Sequence, residues 1–178
     1  INAQEGFFDV ESVWPKLEQA LRQAISNLVA MRETEGSNIY GDFIKRADLI
    51  AEKLAVIEER SPQVVEEYQI RLSDRINELL AKHNQVIEPE RLLQEVAIFA
   101  DRTSITEEIV RLKSHIKQFK LIIDADQPVG RKLDFLIQEF NREANTIASK
   151  ANDYTLAQVV VEIKAEIEKI REQIQNIE

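Results

Sequence analysis

The chain has 178 residues, enough for one ordinary domain or two small ones and too few for an elaborated barrel enzyme. Hydrophobic residues make up 44% and charged residues 31%, with only four Gly, four Pro and 6% aromatics, a shortage of turn formers that argues against a many-stranded sheet protein and leaves long helices. A formal charge of −9 is wrong for a protein that coats nucleic acid freely, and the absence of Cys excludes disulfides, thiolate zinc sites and cysteine nucleophiles while permitting a reducing compartment.

In chain order, the prolines punctuate helix starts, because Pro is tolerated only in the first turn, where its missing N–H has no partner to lose. Pro15 follows Ser12, Pro62 follows Ser61, Pro89 follows Glu88 and Pro128 follows Asp126 by two residues. Ser104 with Glu107 reads as a capping box, and Asn152-Asp153 opens the last helix. The first series, Trp14, Leu17, Leu21, Ala24, Leu28 and Met31, steps by three and four. Phe43, Ala47, Ile50, Leu54 and Ile57 repeat that spacing in a shifted register, so near Gly36 the chain is either one helix with a stutter or two helices meeting at a bend. Val65, Tyr68, Leu72, Ile76 and Leu79 follow, then Leu92 to Ala100, then Ile105, Ile109, Leu112, Ile116, Phe119 and Ile123. His83 lies near the end of its helix and reads as a surface or cap residue.

The last series, Leu156, Val160, Ile163, Ile167, Ile170, Ile174 and Ile177, is a heptad stripe longer than a chain of this size needs for its own core, so self-association through it is expected. Every stripe is read as core packing. The expected fold is all-α, with long antiparallel helices forming a bundle or elongated hairpins and a coiled-coil-like C-terminal helix. Residues 1–102 form a long helical hairpin region and 103–178 a C-terminal three-helix region. No apolar run approaches the roughly eighteen residues that cross a bilayer, and no signal peptide opens the chain, so a soluble intracellular protein is expected. Starting at Ile1 without an initiator Met, it reads as a piece of something longer.

Two helices carry polar constellations. Glu108, Arg111 and His115 step by three and four, so a carboxylate, a guanidinium and an imidazole share one stripe, a set suited to a hard divalent metal or a general base. A salt-bridged helix face is the competing reading. After Pro128, Arg131, Asp134, Gln138, Arg142 and Asn145 line one face, and Glu139, Glu143, Thr146 and Lys150 a neighbouring one. Asn and Thr weaken helices, so their use here points to specific contacts, either a ligand surface or a network between helices. From Arg111 to Lys132 six basic residues stand against Asp124 and Asp126, a local patch where phosphate could be held or else a solvated face.

Met31-Arg32-Glu33-Thr34-Glu35-Gly36, Arg91-Leu92-Leu93-Gln94-Glu95, Ala100-Asp101-Arg102 and Thr106-Glu107-Glu108-Ile109-Val110-Arg111-Leu112 reaching His115 carry a family pattern. It continues through Gly130-Arg131-Lys132-Leu133-Asp134-Phe135, Gln138 to Thr146, Ser149-Lys150 and Arg171 to Glu178. Together these resemble the C-terminal portion of the YicC-like bacterial proteins, over most of the chain, without the family's N-terminal domain. The resemblance implies a cytoplasmic, metal-dependent endoribonuclease of bacterial RNA turnover, using Mg²⁺ or Mn²⁺. It also implies RNA as substrate, other RNA-decay proteins as partners, and a homo-oligomer, with hexameric rings as the family's expectation. On that reading Glu107, Glu108, Asp134, Glu139 and Glu143 are the candidate metal ligands. His115, Glu108, Glu139 and Glu143 are the candidate catalytic groups, and Arg111, Arg131, Lys132, Arg142, Asn145 and Lys150 the candidate RNA contacts. The alternative is a non-catalytic oligomeric adaptor that presents RNA or partner proteins to another nuclease.

Overall fold

The computed structural model describes residues 10–81, 88–125, 127–175 and 177. His83 lies outside the described residues. Five helices account for nearly all of the rest: α1 (Val10–Ala81), α2 (Pro89–Thr103), α3 (Thr106–Ile123), α4 (Gly130–Lys150) and α5 (Tyr154–Ile174). No strand occurs among the described residues, so the fold is all-α. The chain divides into two compact units, 1–42 and 43–178.

The choice left open near Gly36 resolves in favour of a single helix, since α1 runs through Gly36 and Gly41 without interruption. In the first unit the expectation of core packing fails. Trp14, Leu17, Leu21 and Leu28 are half exposed and Met31 is 60% exposed, so this stripe is apolar surface.

In the second unit four heptad seams meet. Phe43, Ala47, Ile50, Leu54, Ile57 and Val64 of α1 are buried. So are Ile109, Leu112, Ile116 and Phe119 of α3, with Ile105 at its cap, and Leu133, Ile137, Phe140, Ala144 and Ile147 of α4. Leu156, Val160, Ile163, Ile167, Ile170 and Ile174 of α5 complete the core. Spacing of four and three keeps each seam on one side of its helix, which is the pattern of a packed bundle.

Ion pairs fix the directions. Lys120 meets Asp48 and Lys113 meets Glu58 at 2.6 Å, so α3 runs antiparallel to α1. Arg46 meets Glu166 at 2.8 Å and Arg60 meets Asp153 at 2.9 Å, so α5 also opposes α1. Helices α3 and α4 pack together, as do α4 and α5, which closes an up-down-up-down arrangement of four helices. Phe119 sits between Phe43 at 5.5 Å and Phe140 at 5.9 Å, tying three of them through ring edges. The α5 stripe is therefore covered within its own chain and offers no surplus for self-association. Helix α2 is held separately, by Tyr68 of α1 stacked on Phe99 with ring centroids 3.7 Å apart.

Three expected helix starts are not starts. Pro15 falls in the second turn of α1, and Pro62 lies deep inside the same helix. Losing a helix bond there costs about 3 kcal/mol, but Ile57 and Val64 on either side are 0% and 4% exposed on the same seam, so tertiary burial carries the helix through. Ser104 ends α2 as its C-cap, and α3 starts at Thr106 behind Ile105 with no side-chain cap. Burial of Ile105 in the core decides that boundary.

Asp153 does cap α5 as its sequence suggests, accepting from the Leu156 N–H at 2.9 Å, and its other oxygen accepts from Arg60 at 2.9 Å. Burial pushes this carboxyl up, but the Arg60 bond and the helix-start N–H groups outweigh it and hold it below its ordinary value. A carboxylate depressed in the folded state adds stability above its unfolded pKa and loses it as pH falls through the folded one. Asp153→Ala is accordingly expected to cost about 1–2 kcal/mol at pH 7. The gap from the parent should narrow as the pH drops below about 4, measured by urea denaturation across that range.

Candidate active site

Helices α3 and α4 each carry polar residues one step off the buried seam, and their antiparallel packing sets those residues opposite one another. Glu108 meets Lys150 at 2.8 Å, Arg111 lies 3.9 Å from Glu143, and His115 faces Glu139 and Glu143. The result is one polar row along the α3–α4 contact, with three different environments.

The middle and far end form a cluster. His115, Glu139 and Glu143 each offer a ligand atom, and these atoms all lie within 4.8 Å of one another. Glu143 is 2% exposed, while Glu139 and His115 are half-buried. The imidazole lies beside Phe140, with ring centroids 6.4 Å apart, and its Nδ1 is buried with no hydrogen-bond partner. Buried polar atoms are almost always satisfied, so this nitrogen is waiting for a proton donor, an acceptor or a cation. Two carboxylates this close repel one another unless positive charge joins them. Arg111 supplies a little of it to Glu143 from 3.9 Å, though Glu107 holds the same guanidinium from the solvent side, one turn back on α3, and the exposed Arg142 reaches Glu139 at 3.5 Å.

The near end differs. Glu108 is 4% exposed, and its carboxylate accepts from Lys150. Burial pushes Glu108 up, but the Lys150 bond, its own backbone N–H and the charges of Lys150 and Arg111 outweigh it, so the carboxyl sits below its usual range. Its Oε2 remains without a hydrogen-bond partner.

The other candidates from sequence divide by face. Glu139, Glu143 and Lys150 turn toward α3, the Thr146 hydroxyl donates back to the Arg142 carbonyl at 3.1 Å, and Arg131, Asp134, Gln138, Arg142 and Asn145 are exposed. Asp134 accepts from Gln138 at 3.0 Å, and Glu107 pairs with Arg111, so neither joins the cluster. Glu108 stays with Lys150 and does not join it either. Arg131 and Lys132 border a groove of about 410 Å³ between α3 and α4 that reaches from His115 and Glu139 to Gln118 and Phe135. Gln118 and Phe135 were absent from the sequence-derived set. The available signal was Phe135 itself, an aromatic off the Leu133, Ile137, Phe140 seam and 64% exposed.

Fold and site together define an all-α bundle protein with an imidazole and two carboxylates converging between neighbouring antiparallel helices, next to a largely apolar groove bordered by Arg131 and Lys132. Residues 57–178 match the family described as endoribonuclease YicC-like, C-terminal. The chain belongs to this YicC-like family. It is 50% identical over all 178 residues to a protein of Clostridioides difficile (strain 630) named probable endoribonuclease YicC. It is 36% identical over the same length to a Haemophilus influenzae protein of the same name. The chain spans 60% of the length of each of these relatives.

Proposed function

We propose that this chain is the RNA-cleaving core of a metal-dependent endoribonuclease acting in RNA turnover. The observation that carries the reading is the convergence of His115, Glu139 and Glu143, with a buried imidazole nitrogen lacking any partner. Family membership supports RNA as the substrate. One imidazole nitrogen with two carboxylate oxygens fits Mn²⁺ better than Mg²⁺, which favours all-oxygen surroundings. A divalent cation bound there would neutralise charge building on the scissile phosphate and lower the pKa of an attacking water.

The protein's own residues supply the rest. His115, Glu139 and Glu143 are fixed by the seams beneath them, Leu112 and Ile116 on α3 and Phe140 and Ala144 on α4, so their geometry is set before substrate arrives. Arg111, 48% exposed, is long enough to leave Glu107 and meet a phosphate beside Glu143. Arg131, Lys132 and Asn145 are exposed and would meet the backbone of a bound strand, as would the exposed Arg142 on leaving Glu139. In a chain of −9, binding through these cations must be weak and salt-dependent, with a slope that grows with the number of phosphates they meet.

The same reading includes a homo-oligomer in the cytoplasm working beside other RNA-decay proteins. The stripe from Trp14 to Met31 is apolar surface of the kind a second copy covers. Among the described residues no helix is long and apolar enough to cross a membrane. Incubating the 178-residue chain with end-labelled RNA is expected to give internal cleavage with Mn²⁺ or Mg²⁺ and none with EDTA. RNA held but left intact under every cation would overturn the catalytic reading in favour of a non-catalytic oligomeric adaptor.

A further inference from the structure

The groove beyond the carboxylate cluster has features that cation binding does not use. Its floor runs along α4 by whole turns, from Glu139 to Phe135 to Arg131, each step about 6 Å at 1.5 Å per residue. On the α3 side His115 and Gln118 border it. Phe135 is 64% exposed, and no ring contact covers it among the described residues. Arg131 and Lys132 are exposed, and no ion pair engages them among the described residues. Val129 caps α4 without a side-chain acceptor, so the first-turn amides add positive potential at the same end.

We propose that this groove is a subsite for one unpaired RNA nucleotide, its base stacked on Phe135 and its phosphate held by Arg131 and Lys132. The proposal rests on the RNA-cleaving reading and sharpens it. A π face, two unengaged cations and an amide at Gln118 are what a nucleotide presents partners for, and an acidic or apolar protein segment would not use all three. Bases in a duplex have their faces covered by their neighbours, so an aromatic of this kind can be used only by an unpaired base. The cluster lies one turn further along α4, so the bond exposed to it would be the one next to the stacked nucleotide. Specificity would then be for single-stranded segments, with little preference among bases, because every base has a face to stack.

The test is fluorescence anisotropy of the 178-residue chain in EDTA, with a fluorescein-labelled octauridylate and a blunt RNA duplex of similar length as probes. Phe135→Ala is expected to weaken octauridylate binding about tenfold, the order of affinity that one base stacked on an aromatic side chain supplies. Phe135→Trp should stay within twofold of the parent. Neither should change duplex affinity or the salt slope, because stacking releases no counterions, whereas Arg131→Gln should shallow the slope on octauridylate by about 0.7. An exposed ring contributes little to the core, so both Phe135 variants should melt with the parent. Octauridylate affinity that is unmoved by Phe135→Ala overturns the subsite, as does an equal loss on the duplex or no binding of either probe. Cleavage by the unsubstituted chain is scored beside this. Cleavage with indifference to Phe135 removes only the subsite, and Phe135-dependent binding without cleavage removes only the catalytic reading.

Discussion

Glu143→Gln is expected to lower metal-dependent RNA cleavage by at least about a hundredfold, and His115→Gln to do the same, with melting temperature nearly unchanged in both. Losing a ligand or a proton-transfer group typically costs two or more powers of ten. The stability half of the expectation comes from the surroundings. Glu143 is 2% exposed and has Glu139 as a near neighbour, with Arg111 3.9 Å away. Replacing its carboxylate by an amide of the same shape removes like-charge repulsion as well as the weak pull of Arg111, so the two changes nearly cancel. The core beneath keeps its packing, because Ile147, Ala144 and Phe140 are untouched.

A site arranged only to hold two helices together would behave in the opposite way. Its buried carboxylates would be held by close ion pairs across the helices, as Lys150 holds Glu108 at 2.8 Å, and loss of one partner would unfold the bundle before it altered any chemistry. His115 Nδ1 has no partner to lose. Thermal melting, light scattering and cleavage measured on the same two variants decide between these. An early-melting variant that still cleaves normally when folded would remove His115 and Glu143 from the reaction.

The bundle was legible because its information is local: spacing of four and three in Phe43 to Ile57, Ile105 to Phe119 and Leu156 to Ile174 specifies one buried side per helix whatever the partner. The face of α4 carrying Glu139, Glu143 and Lys150 was legible for the same reason, and it does turn toward α3. What spacing could not supply was the register of one helix against another. That register decides that Glu139 and Glu143 meet His115, and that Glu108 is matched with Lys150. Periodicity was also silent on whether a stripe is covered. Trp14 to Met31 and Leu156 to Ile174 have the same spacing, yet one is half exposed and the other is the core. Pro62 misled because a local rule met a continuous buried seam, which costs more to interrupt than one hydrogen bond.

Lys150→Met should destabilise the bundle by about 2–3 kcal/mol. For a protein of this size that corresponds to a fall of roughly 5–10 °C in melting temperature. The cause is the partner left behind: the Glu108 side chain is 6% exposed, and among the described residues Lys150 donates the one side-chain hydrogen bond that its carboxylate receives. Lys150 itself is 38% exposed, so solvent screens part of the pair, which puts the expectation at the low side of what breaking a buried pair costs. The double substitution Glu108→Gln with Lys150→Met should recover most of the loss, because no uncompensated charge remains; urea denaturation of the two single variants and the double gives the coupling directly. The pH dependence has a definite sign. Glu108 is depressed in the folded state, so its contribution is present at neutral pH and lost in acid, and Lys150→Met should approach the parent's stability as Glu108 becomes protonated in both. On the proposed function, folded Lys150→Met should still cleave RNA, since the row along α3 and α4 is divided between a closely paired end that holds the helices and an end facing the groove, where Arg111 and Arg142 reach Glu143 and Glu139 only at 3.9 and 3.5 Å. A Lys150→Met protein that melts with the parent but binds RNA with a shallower salt slope would move this lysine out of the frame and into the RNA contact.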